Sequence, residues 1–323
     1  MTKFAPLARL AILDDYQGVT LALGPWEDAP PTLQITTFRD TLKDQDALVE
    51  RLAPFDAILA MRERTPFPRA LLERLPNLRL LISTAARNRS IDLAACVELG
   101  ITACGTPDNG SPTVDLTWGL ILSLARDIPN QQASLRAGTW QTSVGIGLEG
   151  KTLGVLGLGK LGGKVAKVGA ALGMRIIAWS PNLTEERAAE IGATRVDKAT
   201  LLAEADVLTL HVVLSDRSRG IIGAADLALM KPAAFVVNTS RGPLIDQPAL
   251  IAALQEGRIA GAGLDVFDEE PLPPGHPILS APNTVLTPHL GYVSEQNYRA
   301  YFEGAVDALN AFESGHPIRI MSP

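Results

Sequence analysis

Short β-branched or leucine-rich runs alternate with helix-like runs along most of this chain, and few folds accommodate such a rhythm. Strands that alternate with helices typically form a parallel sheet with helices packed on its faces. In the first hundred residues, the runs that predict strands are Arg9–Leu13, Leu33–Phe38, Ala57–Ala60, Leu78–Ser83 and Ile101–Cys104. The predicted helices between them are Asp44–Leu52, Pro68–Leu75 and Ile91–Leu99, the last with Ser90 as its N-cap.

A long segment with one apolar face separates this series from a second one. Residues from Ser111 to about Gln132 predict one continuous helix, with Pro112 in its first turn. The strands predicted beyond it are Thr152–Leu156, Arg175–Trp179, Val207–Val212, Ala234–Asn238, Ile259–Val266 and Thr284–Leu286. A final helix is predicted from about Ser294 to Phe312. Because 323 residues exceed the usual size of one hydrophobic core, we expect two domains.

Charge and cysteine content exclude several classes of protein. The chain has 35 acidic and 29 basic side chains, which argues against a nucleic-acid surface and against binding to anionic membranes. Cys96 and Cys104 lack metal or disulfide spacing, so we expect reduced thiols. No apolar stretch of signal-peptide length precedes Asp14, and the most apolar segment, Leu116–Ala125, is too short to span a bilayer. We predict a cytoplasmic protein without a metal site.

The segment Gly157-Leu158-Gly159-Lys160-Leu161-Gly162 is a GxGxxG motif. The motif alone is weak, but here it directly follows the predicted strand Thr152–Leu156 and opens a helix-like run. Glycine at these positions lets the backbone turn tightly, approach a pyrophosphate and direct helix N–H groups at it. A plain glycine-rich turn is the alternative. The context favours a dinucleotide site that includes Gly157, Gly159, Lys160, Leu161 and Gly162.

The next predicted strand, Arg175–Trp179, ends where an NAD enzyme would place a carboxylate for the ribose 2′-hydroxyl. This chain instead has Ser180, Pro181 and Asn182. The missing carboxylate removes the repulsion that would exclude a 2′-phosphate, yet no Arg or Lys immediately follows Ser180 to pair with that phosphate. The cofactor is therefore predicted to be NAD or NADP, with NADP favoured.

Three further segments stand in a fixed order downstream: Asn238-Thr239-Ser240-Arg241-Gly242, Asp265-Val266-Phe267-Asp268-Glu269-Glu270-Pro271 and Pro288-His289-Leu290-Gly291. With the glycine-rich turn, they resemble the D-isomer-specific 2-hydroxyacid dehydrogenase family, from about Leu78 through Gly291. The resemblance implies an oxidoreductase that transfers a hydride between NAD(P)H and a small 2-oxo acid or D-2-hydroxy acid. A protein that only binds a dinucleotide is a further alternative, but it would not require the three downstream segments.

The fold predicted with this resemblance is α/β, with two doubly wound parallel-sheet domains. Residues 1–105 plus 292–323 would form a flavodoxin-like substrate domain, and residues 106–291 an inserted NAD(P)-binding Rossmann domain, with the active site in the cleft. The resemblance also implies a homodimer, formed through the long helix and the segment around Trp140.

Catalytic roles are implied for Arg241, Glu270 and His289, and side-chain chemistry supports each role. The planar, permanently charged guanidinium of Arg241 matches a substrate carboxylate. The imidazole of His289 can act as general acid in reduction and general base in oxidation. Glu270 would orient that imidazole, as a carboxylate does in a hydrolase triad. Asp268 and Glu269 are adjacent alternatives, but Glu270 is the residue before Pro271 that matches the family motif.

The remaining site residues follow by position. The other histidines, His211, His276 and His316, are interpreted as structural or surface residues. Further cofactor contacts implied by the resemblance are Val212, Val213, Ser218, Thr239, Ser240, Asp265 and Gly291, with Asp265 accepting a hydrogen bond from the nicotinamide carboxamide.

Substrate binding is predicted to depart from the family pattern. Relatives usually carry a glycine-rich loop whose N–H groups bind the substrate carboxylate, whereas this chain has Ser83-Thr84-Ala85-Ala86-Arg87-Asn88-Arg89-Ser90. Alanine keeps the N–H but restricts the backbone. Met61 and Arg62 are further candidates for the pocket. The predicted substrate-binding residues are Ala85, Ala86, Arg87, Arg241, His289 and Tyr292.

The favoured function is glyoxylate or hydroxypyruvate reduction, because the absent carboxylate at Ser180 suits NADPH-driven reduction. One alternative is a dehydrogenase for a bulkier D-2-hydroxy acid. Another, from a different class, is a redox-sensing NAD(H)-binding protein, since transcriptional corepressors resemble the same family and retain its triad. The sequence has no basic or proline-rich interaction tail, which argues against that alternative.

Overall fold

A computed structural model describes residues 5–108 and 110–323 of the chain. The backbone separates into two compact units: residues 5–108 with 294–323, and Gly110–Val293. The predicted domain ranges also include Met1–Phe4 and Asn109, which lie outside the described residues. In the described ranges, every helix is either too short or too polar to cross a membrane.

Helices alternate with strands along most of the chain. Short 3-10 turns lie at Trp26–Asp28, Gly242–Leu244 and Pro277–Ser280. The α-helices are α1 (Thr20–Leu23), α2 (Gln45–Leu52), α3 (Arg69–Leu72), α4 (Leu93–Glu98), α5 (Ser111–Ala125), α6 (Ile128–Arg136), α7 (Lys160–Ala171), α8 (Glu185–Ala189), α9 (Lys198–Glu204), α10 (Ala224–Leu229), α11 (Gln247–Gln255) and α12 (Glu295–Glu313).

The unit of residues 5–108 and 294–323 contains a parallel five-stranded sheet in the order β2-β1-β3-β4-β5. This order confirms the predicted flavodoxin-like arrangement. Central strands are buried on both faces, which explains why they read as continuous apolar runs. The strands are β1 (Arg9–Ile12), β2 (Gln34–Thr37), β3 (Ala57–Ala60), β4 (Leu80–Ser83) and β5 (Thr102–Gly105).

The unit Gly110–Val293 contains a parallel sheet in the order β12-β11-β10-β9-β6-β7-β8. The direction of winding reverses beside β6, as in a Rossmann fold, which confirms that prediction. The two-residue strand β8 is exposed and was not predicted, because it carries no apolar run. The strands are β6 (Thr152–Leu156), β7 (Arg175–Trp179), β8 (Thr194–Arg195), β9 (Val207–Leu210), β10 (Phe235–Asn238), β11 (Gly261–Leu264) and β12 (Thr284–Leu286).

Two apolar clusters cover the two faces of this second sheet. Successive strand residues point to opposite faces, so Val236 packs in one cluster and Val237 in the other. Helices α9, α10 and α11 contribute to the first cluster, and α5 and α7 to the second. The sheet is therefore buried on both faces. Polar side chains of the sheet can reach a ligand at the ends of the strands.

The predicted continuous helix from Ser111 to Gln132 is wrong, because the chain breaks between α5 and α6. Asp127 adopts a left-handed backbone with φ of 52°. Pro129 explains the break, since a proline ring inside a helix clashes with the carbonyl four residues earlier, here that of Ala125. The Ala125 carbonyl instead accepts a hydrogen bond from Ile146 N at 2.7 Å.

Ser90 is likewise not the N-cap of α4. The helix begins two residues later than predicted, and the Asp92 carboxylate caps it by accepting a hydrogen bond from Ala95 N at 2.8 Å. Ser90 N donates to the Asn88 side chain instead, so Ser90 belongs to the preceding loop. Ser and Asp both favour N-cap positions, and the conformation of the loop before the helix decides which of them becomes the cap.

Candidate active site

Most of the predicted site residues follow strands of the sheet in Gly110–Val293. Because all neighbouring strands in this sheet are parallel, their carboxyl ends lie along one edge. Open α/β sheets bind ligands at this edge, where the winding reverses. The residues that follow the strand ends are Gly157 after β6, Ser180 after β7, Val212 after β9, Arg241 after β10, Asp265 after β11 and His289 after β12.

The three glycines of the turn after β6 are suited to their positions for different structural reasons. Gly157 has φ of 102°, and a Cβ there would lie 2.8 Å from the backbone of His211 and Val212. A Cβ on Gly162 would overlap the carbonyl oxygen of Gly157. A Cβ on Gly159 would meet no described atom within 4 Å, so this position faces open space at the amino end of α7. The turn therefore offers a cradle that a side chain would fill, and a pyrophosphate fits it.

The three residues that replace the usual ribose-binding carboxylate directly follow β7. Ser180 is half-buried, whereas Pro181 and Asn182 are exposed. Arg195 on β8 pairs with Ala178 of β7, and its Nε donates to the carbonyl of Leu183 at 2.8 Å. This places a guanidinium close to the loop after β7. The sequence did not indicate it, because Arg195 lies on a strand that has no apolar signal.

Hydrogen bonds tie the end of β10 to its neighbours. Ser240 Oγ donates to Val212 O at 2.9 Å, and the hydroxyls of Thr239 and Thr117 lie 2.7 Å apart. Ser218 Oγ donates to Val213 O at 2.7 Å. Thr239, Ser240 and Ser218 therefore hold the loop backbones in place at the edge of the sheet.

The backbone at Arg241 is fixed by its neighbours. Asn238 Nδ2 donates to the Arg241 carbonyl at 2.9 Å, and Ser240 N donates to Asn238 Oδ1 at 3.0 Å. A Cβ on Gly242 would overlap the backbone of Phe267, so these two loops touch. Glycine at 242 thus brings the half-buried Arg241 next to the loop that carries Glu270.

Glu270 and His289 are in direct contact. Nδ1 of His289 lies 2.6 Å from Oε2 of Glu270, and Phe267 N donates to Oε1 of the same carboxylate at 2.9 Å. Their side chains are 16% and 20% exposed, so solvent reaches the histidine and glutamate only partly. One carboxylate oxygen is held by backbone and the other by the imidazole, which fixes the orientation of the ring.

Asp265 holds the loop in which His289 lies. The carboxylate of Asp265 is fully buried and accepts hydrogen bonds from Thr287 Oγ1 at 2.6 Å, Leu290 N at 2.6 Å and Gly291 N at 2.8 Å. Burial raises the pKa of Asp265 above its ordinary value, although these bonds oppose the shift. His289 itself has a left-handed backbone with φ of 53°. Asp265 therefore fixes a loop conformation that an isolated chain would avoid, a role that its sequence position did not indicate.

Tyr292 packs against the imidazole from another side. The ring centroids of His289 and Tyr292 are 5.5 Å apart with an interplanar angle of 74°, an edge-to-face arrangement. Tyr292 is only 6% exposed. Its ring therefore restricts the motion of His289 as well as the space beside it.

The other three histidines have local contacts or lie at the surface. Nε2 of His211 lies 2.9 Å from Thr209 Oγ1, and desolvation lowers the pKa of His211 to about 4. His276 Nδ1 accepts a hydrogen bond from Ile278 N at 3.2 Å, and His316 is exposed. No cluster of three or more His, Cys, Asp or Glu side chains suited to a metal ion occurs in residues 5–108 and 110–323.

The predicted substrate loop lies in the other unit, after β4. Ala85 has φ of 73°, and its N–H donates to Thr106 Oγ1 at 2.8 Å. Ala86 and Arg87 are exposed, whereas Met61 is buried. Arg62 N donates to Thr84 Oγ1 at 2.8 Å, which joins the loops after β3 and β4. The left-handed backbone at Ala85 is the conformation for which glycine is the usual residue.

Comparison with known proteins places these features in one family. The profile of the D-isomer specific 2-hydroxyacid dehydrogenase NAD-binding domain matches residues 118–291. The glyoxylate reductase of Aeropyrum pernix is 40% identical over 255 residues, which cover 76% of either chain. The D-3-phosphoglycerate dehydrogenase of Methanocaldococcus jannaschii is 42% identical over 79% of this chain, which spans about half (49%) of that longer relative.

Solved structures agree with the sequence matches. The crystal structure of a phosphoglycerate oxidoreductase from Vibrio cholerae O395 superimposes with a TM-score of 0.91 at 39% identity, and the match covers 95% of this chain and 99% of the other. The α/β fold is therefore shared with a solved relative.

Two alanine substitutions test the separate roles of the glycines. We expect Gly162→Ala to destabilise the protein by about 2 kcal/mol or more, because its Cβ overlaps backbone that cannot move aside. Gly159→Ala should leave stability within about 0.5 kcal/mol and weaken nicotinamide-cofactor binding about tenfold or more, because its Cβ occupies the open cradle. Urea unfolding and cofactor fluorescence titration measure the two effects. Equal cofactor affinity in Gly159→Ala and the native protein would contradict the cradle.

Proposed function

The chain belongs to the D-isomer-specific 2-hydroxyacid dehydrogenase family and is an oxidoreductase with a nicotinamide cofactor, and from that premise we propose that it reduces a small 2-oxo acid such as glyoxylate or hydroxypyruvate. The observation that carries the proposal is the 2.6 Å contact between Glu270 and His289 beside the loop of Arg241. The size of the substrate is supported by the buried ring of Tyr292, which narrows the space at His289.

We propose that His289 is the proton donor in reduction. The bound nicotinamide supplies the hydride that reaches the carbonyl carbon. His289 would give the proton on Nε2 to the carbonyl oxygen as negative charge develops there, and would take it back in the oxidation of a hydroxy acid. Glu270 would accept the Nδ1–H, select this tautomer and stabilise the imidazolium form.

Arg241 would bind the oxygens of the substrate. Its guanidinium offers two parallel N–H donors to a carboxylate, or one to the carboxylate and one to the carbonyl oxygen. Arg241 Nη1 donates to Ser240 O at 2.7 Å, which restricts the side chain and lowers the conformational entropy that it loses on binding.

In the unit of residues 5–108 and 294–323, we propose that the loop after β4 binds the substrate carboxylate through its backbone. The Ala85 N–H is engaged by Thr106, so the amides of Ala86 and Arg87 are the proposed donors. The exposure of both residues supports this assignment.

NADPH is the proposed reductant. Ser180 provides no carboxylate to repel a 2′-phosphate, and the Arg195 guanidinium lies near the same loop. A 2′-phosphate is recognised well by Arg.

A homodimer is the proposed assembly. Trp140 and Val144 are 74% and 98% exposed, and Val144 lines a cavity of about 260 Å³ together with residues of α5. Large exposed apolar side chains in one segment, of which Val144 lines the cavity, support burial against a partner. Sedimentation equilibrium should give about twice the 34.3 kDa of one chain, and a mass equal to one chain would contradict the dimer.

Initial rates test the proposed reaction. We expect loss of the reduced-nicotinamide absorbance with glyoxylate or hydroxypyruvate, faster with NADPH than with NADH, and slower turnover of phenylpyruvate. Arg241→Lys should lower kcat/KM about tenfold or more, because the bidentate fork is lost. Arg258→Lys, which alters only an exposed pair with Glu256, is the matched control. Cofactor binding without turnover of any 2-oxo acid would contradict the proposal.

A further inference from the structure

Thr117 lies in the second turn of α5 and is fully buried. Its hydroxyl reaches the carboxyl edge of the sheet in Gly110–Val293, where its Oγ1 lies 2.7 Å from Oγ1 of Thr239, the first residue after β10. Thr239 keeps 7% of its surface exposed. A buried hydroxyl therefore lies directly behind a position that is a predicted cofactor contact.

The positions of the protons on these two hydroxyls follow from their partners. Thr117 Oγ1 also donates to the carbonyl of Thr113 at 2.7 Å, and a carbonyl oxygen can only accept. A hydroxyl has a single proton, so Thr117 has none left for Thr239. The bond between the two hydroxyls is therefore donated by Thr239, and the Thr239 oxygen has only lone pairs to offer to a ligand.

The first turns of α5 are held to the same edge by a second hydroxyl. Thr113 Oγ1 donates to Gly291 O at 2.9 Å, and Gly291 N donates to the Asp265 carboxylate at 2.8 Å. Asp265 N donates in turn to the carbonyl of Asn238 at 3.0 Å, directly before Thr239. These bonds form a ring through α5 and the ends of β10, β11 and β12, so the helix is fixed relative to the strand ends.

An oxygen that can only accept favours a ligand that donates. The carboxamide of a nicotinamide ring has two N–H donors and one carbonyl acceptor. The neighbouring carboxylate of Asp265 already accepts three hydrogen bonds from Thr287, Leu290 and Gly291, which leaves it fewer lone pairs for a ligand. Thr239 therefore offers the carboxamide an acceptor at the same edge.

We propose that Thr117 is a positioning residue that orients the Thr239 hydroxyl to accept a hydrogen bond from the nicotinamide carboxamide. Thr117 does not touch the cofactor and acts by accepting the Thr239 proton. This arrangement favours a carboxamide over a ring substituent that cannot donate. The proposal rests on the cofactor-binding part of the proposed function and not on which 2-oxo acid is reduced.

Calorimetric titration with two cofactors tests the role of Thr117. The probes are NADPH and its reduced 3-acetylpyridine analogue, in which a methyl group replaces the carboxamide NH2. The native protein should bind NADPH about tenfold more tightly, because the methyl group leaves the Thr239 oxygen without a donor. Thr117→Val frees the Thr239 proton and should lower this ratio about threefold or more, whereas Thr117→Ser keeps the hydroxyl and the ratio. Thr152→Val removes another buried hydroxyl, at the amino end of β6, and should leave the ratio unchanged.

A double-mutant cycle separates positioning from general packing. Thr239→Val should lower the ratio at least as far as Thr117→Val, and the double variant should match Thr239→Val within about a factor of two. Thermal unfolding shows whether each variant keeps its fold. Parallel weakening of both cofactors in folded Thr117→Val, with the ratio kept, would indicate a packing role and overturn the proposal.

Two outcomes overturn the proposal without the Thr117→Val variant: an unchanged ratio in Thr239→Val, and equal affinity of the native protein for the two cofactors. The titrations need no turnover, so they are independent of the substrate. If the native protein shows the ratio and its dependence on Thr117 but reduces no 2-oxo acid, the proposed reaction fails and the role of Thr117 stands.

Discussion

The structure around the candidate site depends on the bond between Glu270 and His289. A histidine exchanges protons usefully only when its ring is held in one tautomer and one orientation. Glu270 provides this with one oxygen on Nδ1 and the other on the backbone of Phe267. Asp265 holds the following amides, and Tyr292 packs on the ring. Removing any of these contacts would leave the imidazole present but poorly placed.

The parallel sheet makes this arrangement possible. Each strand ends at the same edge, so residues distant in sequence meet there without any strand having to bend. Glycine allows the loops to approach each other, as at Gly242 against Phe267 and at Gly157 against Val212. The same edge that orients His289 also presents the cradle at Gly159. The open position at Gly159 and the pair Glu270–His289 therefore lie along one edge of one sheet.

The sequence predicted the sheets well where strands are fully buried. Ala57–Ala60 and Thr152–Leu156 are buried along their whole length and match the observed strands to the residue, because continuous apolar runs of strand length leave little choice. The break at Asp127 and the cap at Asp92 escaped prediction, since each depends on which competing local signal the tertiary structure satisfies. At the site, the motif selected Glu270 over its acidic neighbours, whereas the clamp by Asp265 and the position of Arg195 required contacts between distant strands.

A double-mutant cycle of kcat/KM on Glu270 and His289 tests the central claim most directly. The account predicts that His289→Ala loses about 10²–10⁴-fold and that Glu270→Gln loses less. The double variant should lose no more than His289→Ala alone, within about a factor of two, because Glu270 acts only through the imidazole. Losses that multiply in the double variant would contradict this account and would assign Glu270 an independent role.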